Sequence, residues 1–350
     1  MNSIELFYYL GLTAKKYLAA RRRKRLPFKV ISIGNITVGG TGKTPATIAI
    51  AEEAVKRGLT PVILTRGYKG TAEGPCFVTR GERPLLTVEE AGDEPLLMAE
   101  RLKGVPIVKG SDRFAAGLFA IKELGLRPSE SLSVGLGGSV PLSISDPQLP
   151  IPVFILDDGF QHWKLRRDRD IVLIDAQNPF GNRKLLPSGR LREPLSGLAR
   201  GDIIVITKAE TEDSGLVAEI RRYNNHAPVF FSVHRPVSVR SLSGDKKHFA
   251  WLNSQKVYCF CGLADPESFR YTVASAGAEI VGMNAYPDHY LYSRSDIAAI
   301  RNESLAAGAS WIVTTEKDMV KLRSLDLPEN ILIIEIAFTA DRSFYESVFA

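Results

Sequence analysis

Short apolar runs closed by polar residues recur along this chain and alternate with stretches of helical period. Residues 28–33 read as a buried strand ending in Gly34-Asn35, followed by a glycine-rich loop and a helix over 43–57. Further strands are predicted at 61–64, 105–108, 153–156, 171–174 and 203–206, with helices over 94–101 and 113–124. Strands that are apolar on both faces and alternate with helices predict an α/β fold with a mostly parallel sheet. Ligands of such sheets bind beyond the carboxyl ends of the strands, so the polar residues after each run are where chemistry is expected. Residues 129–152 break the pattern: they are rich in Ser, Gly and Pro, show no helical period, and read as an inserted loop. The pattern restarts near 229. Strands at 229–233 and 237–242 predict a β connector, and those at 257–260, 279–281, 311–314 and 331–336 a second, smaller α/β unit. The expected organisation is an N-terminal segment 1–27, a larger unit 28–232 carrying the 129–152 insertion, and a smaller unit 233–350.

Composition changes this picture little. The 350 residues suit two units, and 45% hydrophobic with 24% charged residues is ordinary for a globular chain. A net charge of +6 and a pI of about 9.1 favour an anionic partner, whether nucleotide, nucleic acid or acidic lipid. Three cysteines make no disulfide framework and suggest a reducing compartment. Cys259 and Cys261 stand two apart on a predicted strand and so share a face. With no second Cys or His pair nearby, they read as core residues and not as zinc ligands.

The N-terminus matters more. Ile4, Leu6, Phe7, Tyr8, Tyr9, Leu10 and Leu12 form an apolar run, followed by Arg21-Arg22-Arg23-Lys24-Arg25. Positive charge after the run is the wrong order for a signal peptide. The run is also shorter than the ~20 residues that span a bilayer. It suits an interfacial helix with a basic collar, and equally a helix packed on its own fold before a solvated charge run.

The chemistry is announced by Gly39-Gly40-Thr41-Gly42-Lys43-Thr44-Pro45, a phosphate-loop ending between a strand and a helix. Glycines let backbone N–H groups turn inward around phosphate oxygens. Lys43 adds charge at the β- and γ-phosphates, the Thr44 hydroxyl suits Mg²⁺, and the helix start offers its positive end. The pattern departs at Thr37, where the first glycine is expected. A carboxylate for the metal is supplied by Asp157-Asp158 at the end of the 153–156 strand. Either Asp fits the metal role.

These motifs resemble the tetraacyldisaccharide 4′-kinase family, the lipid A 4′-kinases. The resemblance is carried by Ile33-Gly34-Asn35 with the phosphate loop, Thr65-Arg66-Gly67-Tyr68, Gly92-Asp93-Glu94-Pro95, Asp157-Asp158-Gly159-Phe160-Gln161-His162 and Leu191-Arg192-Glu193-Pro194. In the second unit it is carried by Gly262-Leu263-Ala264-Asp265-Pro266, Pro287-Asp288-His289 and Thr314-Thr315-Glu316-Lys317-Asp318. It implies a P-loop kinase that uses ATP and Mg²⁺ to phosphorylate the 4′-hydroxyl of a tetraacylated glucosamine disaccharide 1-phosphate. It implies two α/β domains joined by a short β linker, with the reaction at their cleft. It further implies peripheral attachment to the cytoplasmic face of a bacterial inner membrane, favouring the interfacial reading of the first helix, and no nucleic-acid partner. By the same resemblance Asp93 is the base on the sugar hydroxyl and His289 its partner. Glu94, with Thr44, Asp157 and Asp158, belongs near the metal, and Gln161 and His162 near the phosphates. Arg66, Asn35 and Arg192 fall on the substrate side, with Arg113 a further candidate. Arg183 and Arg190 depart from the small residues or proline expected there.

Two other classes fit parts of the sequence. A P-loop GTPase switch or metallochaperone would share the phosphate loop, but Ile206-Thr207-Lys208-Ala209-Glu210 is a poor guanine-reading motif. A kinase of a soluble sugar would leave the N-terminal helix unexplained.

Overall fold

The computed structural model describes residues 2–127, 151–209 and 211–350. The insertion expected at 129–152 lies outside them except for its last two residues, which open a strand. The described strands form one continuous sheet. Its first half holds β1 (Lys29–Gly34), β2 (Leu59–Thr65), β3 (Cys76–Thr79), β4 (Ile107–Lys109), β5 (Ile151–Leu156), β6 (Arg169–Asp175) and β7 (Ile203–Thr207). Their spatial order is β3-β4-β2-β5-β1-β6-β7, parallel throughout except for the β3 edge. Strands this buried on both faces need helices on each side. α2 (Lys43–Lys56), α3 (Val88–Ala91) and α4 (Asp93–Arg101) cover one face, where Ile31, Ile63 and Ile155 meet Ala46, Ile50 and Met98. α5 (Arg113–Glu123) covers part of the other, closing over Val62, Phe154 and the Leu26-Pro27-Phe28 lead-in.

β8 (Val229–Ser241) links the halves. Its first residues pair in parallel with β7, and from Ser232 onward it pairs antiparallel with the last strand. The register shifts near Pro236, which has no N–H for the ladder. The two stretches expected as separate connector strands are thus one strand, and position 232 lies inside it. β9 (Lys246–His248) folds back on β8. The second half continues with β10 (Lys256–Cys261), β11 (Glu279–Ala285), β12 (Trp311–Thr315) and β13 (Ile331–Ala340), in the spatial order β11-β10-β12-β13. Helices α7 (Pro266–Ser275), α8 (Arg294–Ala306) and α9 (Glu316–Leu322) pack on them, while α6 (Ser214–Arg221) precedes β8. Cys259 and Cys261 are free and buried in one cluster with Val257 and Val313. The final helix, α10 (Arg342–Phe349), does not stay with this half. Phe344 and Val348 are fully buried in the core of the first half, beside Ala54 and Val205.

The N-terminal helix α1 (Ser3–Arg21) is closed at its start by a capping box between Asn2 and Glu5. It touches the body through Tyr8, whose hydroxyl donates to the Arg192 carbonyl at 2.9 Å, and through buried Ala19. Ile4, Phe7, Leu10, Tyr17 and Leu18 are each more than half exposed, and among the described residues nothing covers this apolar face. Among the described residues no helix is long and apolar enough to cross a membrane.

Candidate active site

The phosphate loop leaves β1 at the carboxyl edge of the sheet and enters α2. Gly39 and Gly42 take φ of 117° and 80°, backbone that side chains rarely adopt. Gly42 is also shut in from outside: a Cβ there would lie 1.9 Å from the His234 ring. Lys43 and Thr44 begin the helix. Pro45 follows in its first turn, where a missing N–H costs no hydrogen bond. Beneath the loop, fully buried Asn35 donates to the Thr41 hydroxyl at 2.9 Å and to Thr37 at 3.4 Å. Thr37, at the position of the missing glycine, is therefore part of the brace. Gln161 donates to the Asn35 carbonyl and to Glu193, both at 2.7 Å, and Glu193 is clamped by Arg200. Asn35 and Gln161 thus brace the loop from beneath.

Asp157 and Asp158 stand at the end of β5, between β1 and β2 in the sheet. Thr65 and Thr47 donate to the Asp157 carboxylate at 3.0 and 3.3 Å. Burial, then the charges of Glu94 and Asp158, push its carboxyl up to about 6, against the opposing pull of Lys43 and Thr65. Asp158 behaves oppositely. Burial would raise it, but Lys43 at 3.8 Å and the Arg192 guanidinium at 2.9 Å hold it below the usual carboxylate range. Three acids thus gather near one lysine, and a cation arriving with the nucleotide would relieve Asp157. Arg192 donates to both Asp158 oxygens at 2.9 Å. Arg113 is buried, donates to the Gly110 and Ser111 carbonyls, and lies within the field of both aspartates. Arg66 is exposed at the mouth. The His162 ring is held by burial, and next by Arg113, at a pKa of about 4, and its Nε2 lacks a partner.

The second half closes the site. Asp93 is the first residue of α4 and accepts from the Glu94 N–H at 2.9 Å, and its other oxygen lies 2.7 Å from His289 Nδ1. Burial pushes the Asp93 carboxyl up. The His289 hydrogen bond and the Lys317 charge outweigh that and leave it below its ordinary value. His289 occupies a left-handed conformation, φ 63°, strain of the kind that collects at working sites. Tyr68 stands against its ring at 5.8 Å and is 58% exposed. Asp93 and His289, far apart in sequence, are therefore one pair, facing the carboxyl edge that carries the phosphate loop.

The family model described as tetraacyldisaccharide-1-P 4′-kinase matches residues 2–349. The chain belongs to the tetraacyldisaccharide 4′-kinase family. The tetraacyldisaccharide 4′-kinase of Syntrophus aciditrophicus is 39% identical, covering 98% of this chain and 90% of the relative. That of Desulfotalea psychrophila is 37% identical, covering 90% and 86%. Among solved structures, LpxK from Aquifex aeolicus in complex with ATP is similar with a TM-score of 0.73 at 28% identity, covering 99% of this chain and 96% of that one. The P-loop kinase fold expected from sequence is borne out.

Four participants in this kinase had no role assigned from sequence. Glu193 braces Gln161. Arg190 donates twice to the Val38 carbonyl and lays its guanidinium on Gly39. His234 packs under Gly42. Lys317 reaches Asp93 from the second half, 3.7 Å away. Lys317 and Glu193 stand inside motifs of the resemblance, Thr314-to-Asp318 and Leu191-to-Pro194, and Arg190 stands out as a departure beside the second; His234 alone has no local signal.

Proposed function

We propose that this kinase transfers the γ-phosphate of ATP to the 4′-hydroxyl of a tetraacylated glucosamine disaccharide 1-phosphate, a step of lipid A synthesis, in a cleft between two α/β domains. The observation that carries the reading is the Asp93–His289 pair set opposite a phosphate loop, in a member of this family. The loop amides and Lys43 would bind and orient the phosphates. Mg²⁺, when bound, would screen charge between the β- and γ-phosphates. Thr44 with Asp157 or Asp158 would hold it, with Glu94 nearby. Among the described residues no three His, Cys, Asp or Glu converge into a metal cage.

In the transfer, the 4′-oxygen forms a bond to γ-phosphorus as the bond to the bridging oxygen breaks and ADP departs. The hydroxyl proton passes to the Asp93 carboxylate, which His289 orients. An ordinary carboxylate is a weak base toward an alcohol, but a loose transition state lets the proton leave late. Tyr68 and Arg66 stand at the mouth where the headgroup would enter. The bare apolar face of α1, with Arg21-Arg22-Arg23-Lys24-Arg25 after it, would seat the enzyme on the cytoplasmic face of the inner membrane.

The test is turnover of the disaccharide lipid with Mg²⁺ and ATP, with GTP as comparison. Folded protein that yields no 4′-phosphorylated product overturns the reading. For the membrane seat, Phe7→Glu with Leu10→Glu should cut sedimentation with anionic vesicles several-fold while ATP binding persists. Undiminished sedimentation would remove the helix from that role.

A further inference from the structure

The motif from Thr314 to Asp318 has an internal division of labour. Thr315 caps α9 through the Asp318 N–H at 3.1 Å. Asp318, fully buried, accepts from Gly262 N–H, Tyr292 and Lys321. Glu316 pairs with Arg101 of α4. Lys317 alone turns into the cleft. Its ammonium lies 2.8 Å from Asp288 Oδ1 and 3.7 Å from Asp93 Oδ2. His289 completes a ring, with Nδ1 2.7 Å from Asp93 and Nε2 3.6 Å from Asp288. Three members come from the second half, and Asp93 comes from the first.

We propose that Lys317 is a positioning residue for phosphoryl transfer, fixing the Asp93 carboxylate against the second half and offsetting its charge as the γ-phosphate approaches. Without Lys317, two carboxylates would share one imidazole in a cleft that must also admit a polyanion. The Asp93 carboxylate would then be repelled by the group it helps to transfer. Lys317 is mostly buried and charged: burial pushes its pKa down, but Asp93 and Asp288 more than offset this. A lysine cannot take the hydroxyl proton while it is protonated, so its part is played through Asp93.

This inference rests on the reaction proposed above, and its test separates the two. Lys317→Met and Lys317→Arg are assayed as full-length protein with ATP, Mg²⁺ and the disaccharide lipid. Lys317→Met is expected to lower kcat about 100-fold, with KM for ATP and for lipid within about threefold. Lys317→Arg, which keeps the charge, should regain at least tenfold of that. In an Asp93→Asn background, Lys317→Met should cost less than about threefold, because the residue acts through the carboxylate. Thermal unfolding and ATP-site titration count the folded fraction. A kcat per folded site equal to wild type overturns the inference, as does a 100-fold loss that persists without the Asp93 carboxylate. Active wild type with an unaffected Lys317→Met variant leaves the kinase reading intact; wild type that cannot use the lipid overturns both.

Discussion

Asp93 lies between opposing influences, burial favouring its neutral form and His289 with Lys317 favouring the carboxylate, and the second set wins. Only the ionised form can accept a proton. Asp93→Asn keeps the shape and removes that capacity, so kcat should fall by roughly 10²–10⁴-fold while calorimetric ATP affinity stays within a few-fold. A matching loss of ATP affinity would make Asp93 a nucleotide residue instead. His162 and His234 give a second expectation. Burial holds both rings near a pKa of about 4, below the ordinary 6.5, so the folded protein resists protons that the unfolded chain accepts. Stability is therefore full above pH 6.5 and is lost as pH falls toward 4, by about 1–3 kcal/mol per ring. Urea midpoints across that window should fall, and His162→Gln with His234→Gln should flatten the fall. Unaltered pH dependence in the double variant would contradict this. At this scale sequence exposed what is local. The phosphate loop and Asp157-Asp158 are contiguous and follow strand ends. Asp93 and His289 lie 196 residues apart and carry no local sign of pairing. Their contact depends on how the halves meet, so only family motifs pointed to it.

Elements were legible where burial imposed one pattern. β5, β6 and β7 show as unbroken apolar runs, and β1 as one broken only by buried Ser32. β3 and β9 escaped notice for opposite reasons: one is a four-residue edge strand, and the other is three exposed polar residues paired only to β8. β13 is expected to stop at 336, yet it runs to Ala340 because β8 offers about 13 Å more of partner edge by the ~3.3 Å rise per residue. α10 carries Phe344, Tyr345, Val348 and Phe349 at helical spacing, but over only eight residues, too short a stretch for its period to stand out. Phe344 and Val348 are nonetheless fully buried, and Phe344 touches Phe230, Phe338 and Tyr345. Phe344→Ala should destabilise the protein by about 3–5 kcal/mol in urea unfolding. A cost under ~1 kcal/mol would mean that the helix is dispensable to that core.

For the whole molecule, the sheet runs unbroken through the β8–β13 ribbon, while a second contact between the halves is made by α4 on α9. Arg101 pairs with Glu316 at 2.7 Å, and Arg323 with Glu100 at 2.7 Å. The Arg101–Glu316 side chains are largely shielded from water, so reversing one charge leaves a buried repulsion. Arg101→Glu or Glu316→Arg should each cut kcat/KM by about tenfold or more, and the combined swap should restore much of it. Additive losses would show that this pair does not align the halves. The return of α10 has a consequence of its own. Residues 233–337 are, in effect, a loop of the first half that has grown into a unit. A nascent chain emerging from the ribosome must hold the nucleotide half unfinished until Arg342–Phe349 appears. A premature stop near residue 340 would therefore spoil the half that was made first.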